Sequence, residues 1–206
     1  MYRPLLRLAT ASVTIFSEIS KIGVCIHQTR LVVVIHAILL SATFMSVLPK
    51  ACLAAEFLTG TADEIAPALR QASPGDSIVL SDGIWTDQYI RFEGEGTERT
   101  PLVLRAQTPG QVIFTGKSRL EISGHWLVAD GLLFESGALE RGQHVIRFTG
   151  KKGDAANSRL TNVSIVNYNP QDLCMRYFWA SLFGQNNRVV HCRFEGQNHP
   201  GPTIVV

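Results

Sequence analysis

Cysteine is scarce in this sequence, and the few present exclude a good deal. Of four cysteines, only Cys174 and Cys192 lie beyond residue 55, and no zinc-ligand spacing occurs. The pair could bridge in an oxidising compartment, but spacing alone does not bring two Cα atoms within disulfide reach. Cys192, between Val189 and Phe194 in an apolar strand pattern, reads better as a small buried hydrophobe. A dominant charge is lacking too. The formal charge of +2 arises because Arg3, Arg7, Lys21, Arg30 and Lys50 face only Glu18 at the N-terminus. From Glu56 onward there are 14 basic and 16 acidic residues. Such a body projects no long-range field to draw in nucleic acid, so an anionic partner has to be gripped by local clusters. With 46% apolar and 17% charged residues, the chain is globular rather than a disordered tail.

Long apolar runs are absent except over residues 31–48. That run follows Arg30 and leads into Pro49, Lys50 and the small-residue stretch 51–55. A basic flank, an apolar centre and a small-residue exit predict a secretory signal cut after Ala54 or Ala55. The alternative is an uncleaved anchor, because the run is near the minimum spanning length of roughly 17 residues. Cys52, beside Lys50 and Pro49, makes a weaker lipoprotein site. The expected division is therefore an extension and signal over 1–55 and a body over 56–206, secreted or periplasmic, with membrane contact only through an uncleaved 31–48 segment.

The body has room for one helix. Thr61 and Glu64 stand in the relation that lets each side chain satisfy the other's free backbone N–H. Ile65 and Leu69 share a face over 61–71, although Pro67 argues against a clean helix. After the turn at Pro74, Gly75 and Asp76, short β-rich runs follow at 77–80, 89–92, 102–106, 112–115, 120–123, 126–129, 132–134, 145–149, 160–166, 179–183 and 189–194. Gly, Asn, Asp and Pro separate them. The body reads as all-β.

These runs repeat. Val128, Asp130, Gly131 and Leu133 match Leu160, Asn162, Val163 and Ile165, which match Val189, His191, Cys192 and Phe194. The spacing suits a solenoid, in which coils bury their inward side chains only against neighbouring coils. Val128, Leu160 and Val189 are then expected in one inward column, with Asn157, Asn162, Asn167 and Asn169 at corners, since Asn tolerates left-handed backbone angles. A β-sandwich would also give even strand spacing, but the repeat favours the solenoid, at about 30 residues per coil and about five coils. The 61–71 helix is placed to cap its first end. The sequence closes on Ile204, Val205 and Val206 in mid-strand, which is read as a solenoid incomplete at that end.

Three stretches resemble polysaccharide lyase family six, the group of chondroitinase B and many alginate lyases: residues 72–85 (ASPGDSIVLSDGIW), 101–110 (PLVLRAQTPG) and 181–196 (SLFGQNNRVVHCRFEG) with Pro200 and Gly201. The resemblance implies a right-handed parallel β-helix and an anionic, uronate-containing polysaccharide as partner, cleaved by β-elimination. It also implies a calcium ion that neutralises the uronate carboxylate, a lysine base, and an arginine near the leaving oxygen. In the family these residues follow the segment that 181–201 resembles, so no catalytic residue and no metal ligand is carried over. Activity is accordingly not expected of this polypeptide alone. The competing reading is a non-catalytic glycan-binding or surface β-helix. A pectate-lyase-like enzyme would need aspartate-rich metal sites that the sequence lacks.

Several residues imitate a site. Glu93 and Glu95 form a Glu-x-Glu, but in a glycine-broken stretch read as a solvated loop, with Lys117 as the next lysine. Lys151, Lys152 and Asp154 read as a charged turn. Arg159, Arg188 and Arg193 read as solubilising arginines, with contact to a polyanionic chain as the alternative. Trp179 is expected to be buried, Tyr177 is a candidate for stacking on sugar rings, and His191 reads as a corner residue rather than a base.

Overall fold

The computed structural model describes residues 54–172, 174–176 and 178–206. The expected signal at 31–48, Cys52 and Tyr177 lie outside them. No helix among the described residues is long and apolar enough to cross a membrane.

Strand β1 (Glu56–Thr59) and helix α1 (Ala62–Gln71) precede strands that recur in threes. The first round is β2 (Ser77–Leu80), β3 (Gly83–Thr86) and β4 (Tyr89–Glu95), and the next is β5 (Leu102–Ala106), β6 (Val112–Gly116) and β7 (Arg119–His125). Then come β8 (Leu127–Asp130), β9 (Leu133–Gly137) and β10 (His144–Arg147), with a short excursion through β11 (Thr149–Gly150) and β12 (Gly153–Ala156). They are followed by β13 (Arg159–Thr161), β14 (Ser164–Val166) and β15 (Phe178–Ser181), and by β16 (Arg188–Val190), β17 (Arg193–Glu195) and β18 (Ile204–Val205). Each strand pairs in parallel with its counterpart one round later. This builds three sheets, ordered β1-β2-β5-β8-β13-β16, β3-β6-β9-β14-β17 and, through β7, β4-β7-β10-β15-β18. The architecture is a right-handed parallel β-helix.

The core follows from alternation. In β5, Leu102, Leu104 and Ala106 are buried while Val103 and Arg105 point outward, and the same period of two runs through β4 and β7. Each fully buried Leu, Ile or Phe contributes about 1.5–3 kcal/mol, so one coil cannot stand without its neighbour. Leu160, Val163 and Ile165 are fully buried. Their partners in the last round, Val189, Cys192 and Phe194, are only partly covered. Helix α1 carries Ile65 and Ala68 into the core and packs against β4, β1 and β2, as the capping role predicts.

The structure corrects the sequence reading in several places. The Thr61 side chain makes no cap hydrogen bond; Glu64 instead accepts from the Gly60 N–H at 2.7 Å, one residue earlier than the expected box. The runs at 160–166 and 189–194 are each two strands of different sheets. They are hinged at Asn162 and His191, whose φ values are 51° and 52°, and a left-handed corner flanked by apolar residues is invisible to an alternation count. The inward column is also shifted. Leu160 does pair with Val189, but its partner in β8 is Ala129, whereas Val128 pairs with Arg159 on the outside. Hydrophobicity chose Val over the smaller Ala, and Leu133 over Phe134, which is the true partner of Ile165. Of the four corner asparagines, Asn157, Asn162 and Asn167 have positive φ. Asn169 is not among them, and its amide donates to the Gly196 carbonyl at 2.6 Å. Cys174 and Cys192 are free thiols.

Candidate functional site

The third sheet turns its polar residues to one face. Because Ile90, Phe92, Leu120 and Ile122 point inward, alternation sends Tyr89, Arg91 and Glu93 of β4 and Arg119 and Glu121 of β7 outward. Register then sets Arg91 beside Glu121, Glu121 beside Arg147 and Arg147 beside Ser181. The Tyr89 ring lies between two guanidiniums, 4.3 Å from that of Arg91 and 3.9 Å from that of Arg119. Further along, the His144 ring stacks on Phe178 at 4.8 Å and meets Phe183 edge-on at 6.1 Å. The Arg147 guanidinium sits 5.4 Å from the Phe183 ring centre.

These side chains surround a cavity of about 150 Å³ lined by Arg119, Glu121, Gln143, His144 and Arg147. The Nε of Arg147 is buried and has no hydrogen-bond partner among the described residues. A buried donor left unpaired costs about 1–3 kcal/mol, which an anionic oxygen entering the cavity would offset. The His144 Nδ1 is 2.6 Å from the Ser181 hydroxyl. Ser181 is itself fully buried, so this contact orients the imidazole rather than presenting a nucleophile.

Burial, and then the Arg147 charge, hold the His144 imidazole below its ordinary value, against a weaker pull from Glu121. The sign of the consequence follows from proton counting. Between the lowered folded value and the ordinary 6.5, the unfolded chain binds the proton that the folded chain refuses, so stability rises with pH through that window and is lost as pH falls below it. We expect the urea midpoint to drop between pH 7.5 and pH 6, and His144→Gln to flatten that slope. An unchanged slope in the variant would remove His144 from the account.

The sequence lookalikes do not converge here. Glu93 and Glu95 lie in strand β4, not in a loop as the glycines suggested, because Gly94 pairs in register with Gly124. Glu95 binds the His125 Nδ1 at 2.9 Å. Glu93, in register with Ser123, keeps a buried Oε1 without a partner among the described residues. Calcium takes six to eight oxygens, and no group of three or more His, Cys, Asp or Glu that could hold a metal occurs among the described residues. The residues present do not fit that ion. Lys117 pairs with Glu140 at 3.1 Å. Lys151 and Lys152 form the exposed turn between β11 and β12, as expected. Trp179 is buried, its Nε1–H donating to the Tyr168 carbonyl at 2.7 Å. His191 sits at a corner, although its counterpart two coils back is Gly131 rather than Asp130. Arg193 pairs with Glu195. The sequence reading missed Arg119, His144, Arg147, Phe178 and Phe183; their alternation against apolar neighbours was legible, but which of them share a face was not.

Fold and face together define a parallel β-helix protein whose third sheet turns arginines, glutamates and aromatic rings to one outward face. A family model described as Chondroitinase B matches residues 60–206. The chain belongs to that family, whose solved relatives include lyases of polysaccharide lyase family six. The PL6 family alginate lyase AlyGC is 38% identical with a TM-score of 0.62, over 65% of this chain and 18% of that one. A mannuronic acid specific family 6 lyase from human gut microbiota is 32% identical with a TM-score of 0.63, over 73% and 36%. The PL6 lyase Pedsa3628 from Pseudopedobacter saltans is 32% identical with a TM-score of 0.66, over 72% and 33%. The chain thus spans at most 36% of the length of these relatives. No curated protein matches it.

Proposed function

We propose that the chain forms the amino-terminal coils of a lyase for uronate-containing anionic polysaccharide, alginate or chondroitin or dermatan sulfate, and that its part is to hold the polymer on the face of Arg119 and Arg147. The observation that carries this reading is the pair of guanidiniums about one cavity, one with a buried Nε that has no partner among the described residues, in a chain of the chondroitinase B family. Guanidinium forks match carboxylate oxygens two at a time, and Phe178, Phe183 and Tyr89 offer apolar surface to sugar rings. A neutral His144 can exchange hydrogen bonds with hydroxyls without adding charge. The reaction we propose is β-elimination, in which calcium, when bound, would neutralise the uronate carboxylate. No step of it is assigned to these residues, and by itself this polypeptide is proposed to be inactive.

Two measurements test the reading. With alginate, chondroitin sulfate or dermatan sulfate plus calcium, no ultraviolet absorbance of an unsaturated product should develop, and a clear rise would overturn the inactivity. Calorimetry should show binding of an alginate oligomer that Arg147→Gln weakens on the order of tenfold, as the loss of a charge-assisted hydrogen bond requires, and that added salt weakens further. Equal binding by the variant would remove this face as the docking surface. We also propose export through residues 31–48, in keeping with a polymer met outside the cell; amino-terminal sequencing of the mature protein should begin at Ala55 or Glu56.

A further inference from the structure

A second constellation lies on a different face. On the outside of the first sheet, Val128, Arg159 and Arg188 are register partners on successive strands. The two arginine Cα atoms therefore stand on strands about 4.8 Å apart. Both side chains are exposed, and neither has a carboxylate partner among the described residues, unlike Arg105, which pairs with Glu56, and Arg193, which pairs with Glu195. Register thus sets the two side chains in one outward row, where a single carboxylate can be met by both.

Next to them is a cavity of about 330 Å³, lined by Trp126, Val128, Asn157, Ser158, Arg159 and Arg188, with Glu98 and Pro101 at its edge. Trp126 is half-exposed and holds a left-handed φ of 56°, a conformation that a bulky side chain adopts only at a cost. The Asn186 amide donates to the Asn157 Oδ1 at 3.1 Å, which leaves the Asn157 NH₂ without an acceptor among the described residues. The cavity therefore offers an indole surface, amide groups and a paired cation. Those are the elements that recognise a sugar ring, its hydroxyls and its carboxylate respectively. Glu98 is the single carboxylate lining it, and it forms no ion pair with either arginine.

We propose that the cavity bounded by Trp126, Arg159 and Arg188 is a second binding site for an anionic sugar unit, separate from the Arg119 and Arg147 face. It rests on the proposed function only for the class of ligand, a uronate chain. A polymer engaged on two faces is held by two contacts, and the second binding event becomes intramolecular.

The chain carries its own reporter. Of three tryptophans, Trp85 and Trp179 are buried and Trp126 is the one open to a ligand. Titrating the full chain with hexamannuronate should change tryptophan fluorescence saturably. Arg159→Gln and Arg188→Gln, both at exposed positions, should each weaken that response about tenfold with circular dichroism unchanged. Lys151→Gln, in the exposed turn between β11 and β12, should leave it within twofold of the parent. If the fluorescence response survives Arg159→Gln and Arg188→Gln intact, or falls as far with Lys151→Gln, the second site is overturned. An equal response to sodium sulfate or to neutral cellohexaose would overturn its assignment to an anionic sugar. Should the Arg147 face fail to bind while the Trp126 response persists, the docking reading fails and this one stands.

Discussion

Gly124→Ala is expected to remove a large fraction of the stability of the β-helix. Gly124 has a φ of +118° and is the register partner of Gly94 across β4 and β7. A Cβ at Gly124 would fall well inside the van der Waals radius of the Gly94 carbonyl oxygen, so relief requires moving one backbone against another in the sheet that carries the Arg119 face. Strain at such a φ together with a backbone clash costs on the order of 4 kcal/mol or more, against a total of about 5–15 kcal/mol for a domain. The variant should lose its cooperative urea transition, or show a midpoint shifted by a large fraction of the parent value. An alanine variant with the parent's midpoint would mean that the two strands do not approach as described.

The second large effect separates two adjacent residues. Phe134→Ala should cost about 3–5 kcal/mol, whereas Leu133→Ala, at a half-buried position, should cost about 1 kcal/mol or less. Phe134 is fully buried and stacks on Phe114 with ring centres 4.7 Å apart. It meets Tyr168 edge-on at 6.1 Å, and Trp85 extends the same column from Phe114 at 5.7 Å. The Tyr168 hydroxyl lies 2.6 Å from its acceptor, the Ser118 carbonyl, so its ring is held and cannot move to fill a void left by Phe134. Such aromatic pairs contribute about 0.5–1.5 kcal/mol beyond their burial. Chemical denaturation of both variants measures the difference directly. If the two costs were reversed, the inward column would be the one that the sequence repeat had suggested.

That contrast shows where legibility stopped. The strand-rich body, its helix at 62–71 and that helix's capping place, the solenoid repeat and the family resemblance were all readable, because local alternation, turn residues and motif strings are properties of neighbours in the chain. The one-residue slip between Val128 and Ala129 was not. Both lie in β8 among apolar residues, both are buried, at 7% and 0% exposure, and only the pairing of Ala129 with Leu160 distinguishes inside from outside. A slip of one residue turns every side chain to the other face, but it affects only the step from β8 to β13; the step from Leu160 to Val189 is read in register, which already sets Arg159 and Arg188 at outward positions of matching coils.

The sites follow the same division. Arg119 lies 25 residues before His144 and 28 before Arg147, and nothing local links it to that pair. Coiling places β7 beside β10 and so gathers them round one cavity. Conversely, Glu93 and Glu95 matched a metal-ligand string and sit in a strand where one carboxylate is taken by His125. From the sequence alone came the fold class, the repeat and the chemical class of partner implied by the family, since these depend on composition, period and motif. Only the stacking of coils decided which residues meet, because contacts between positions about 30 residues apart depend on register, and register is set by backbone pairing and by the packing of the whole interior.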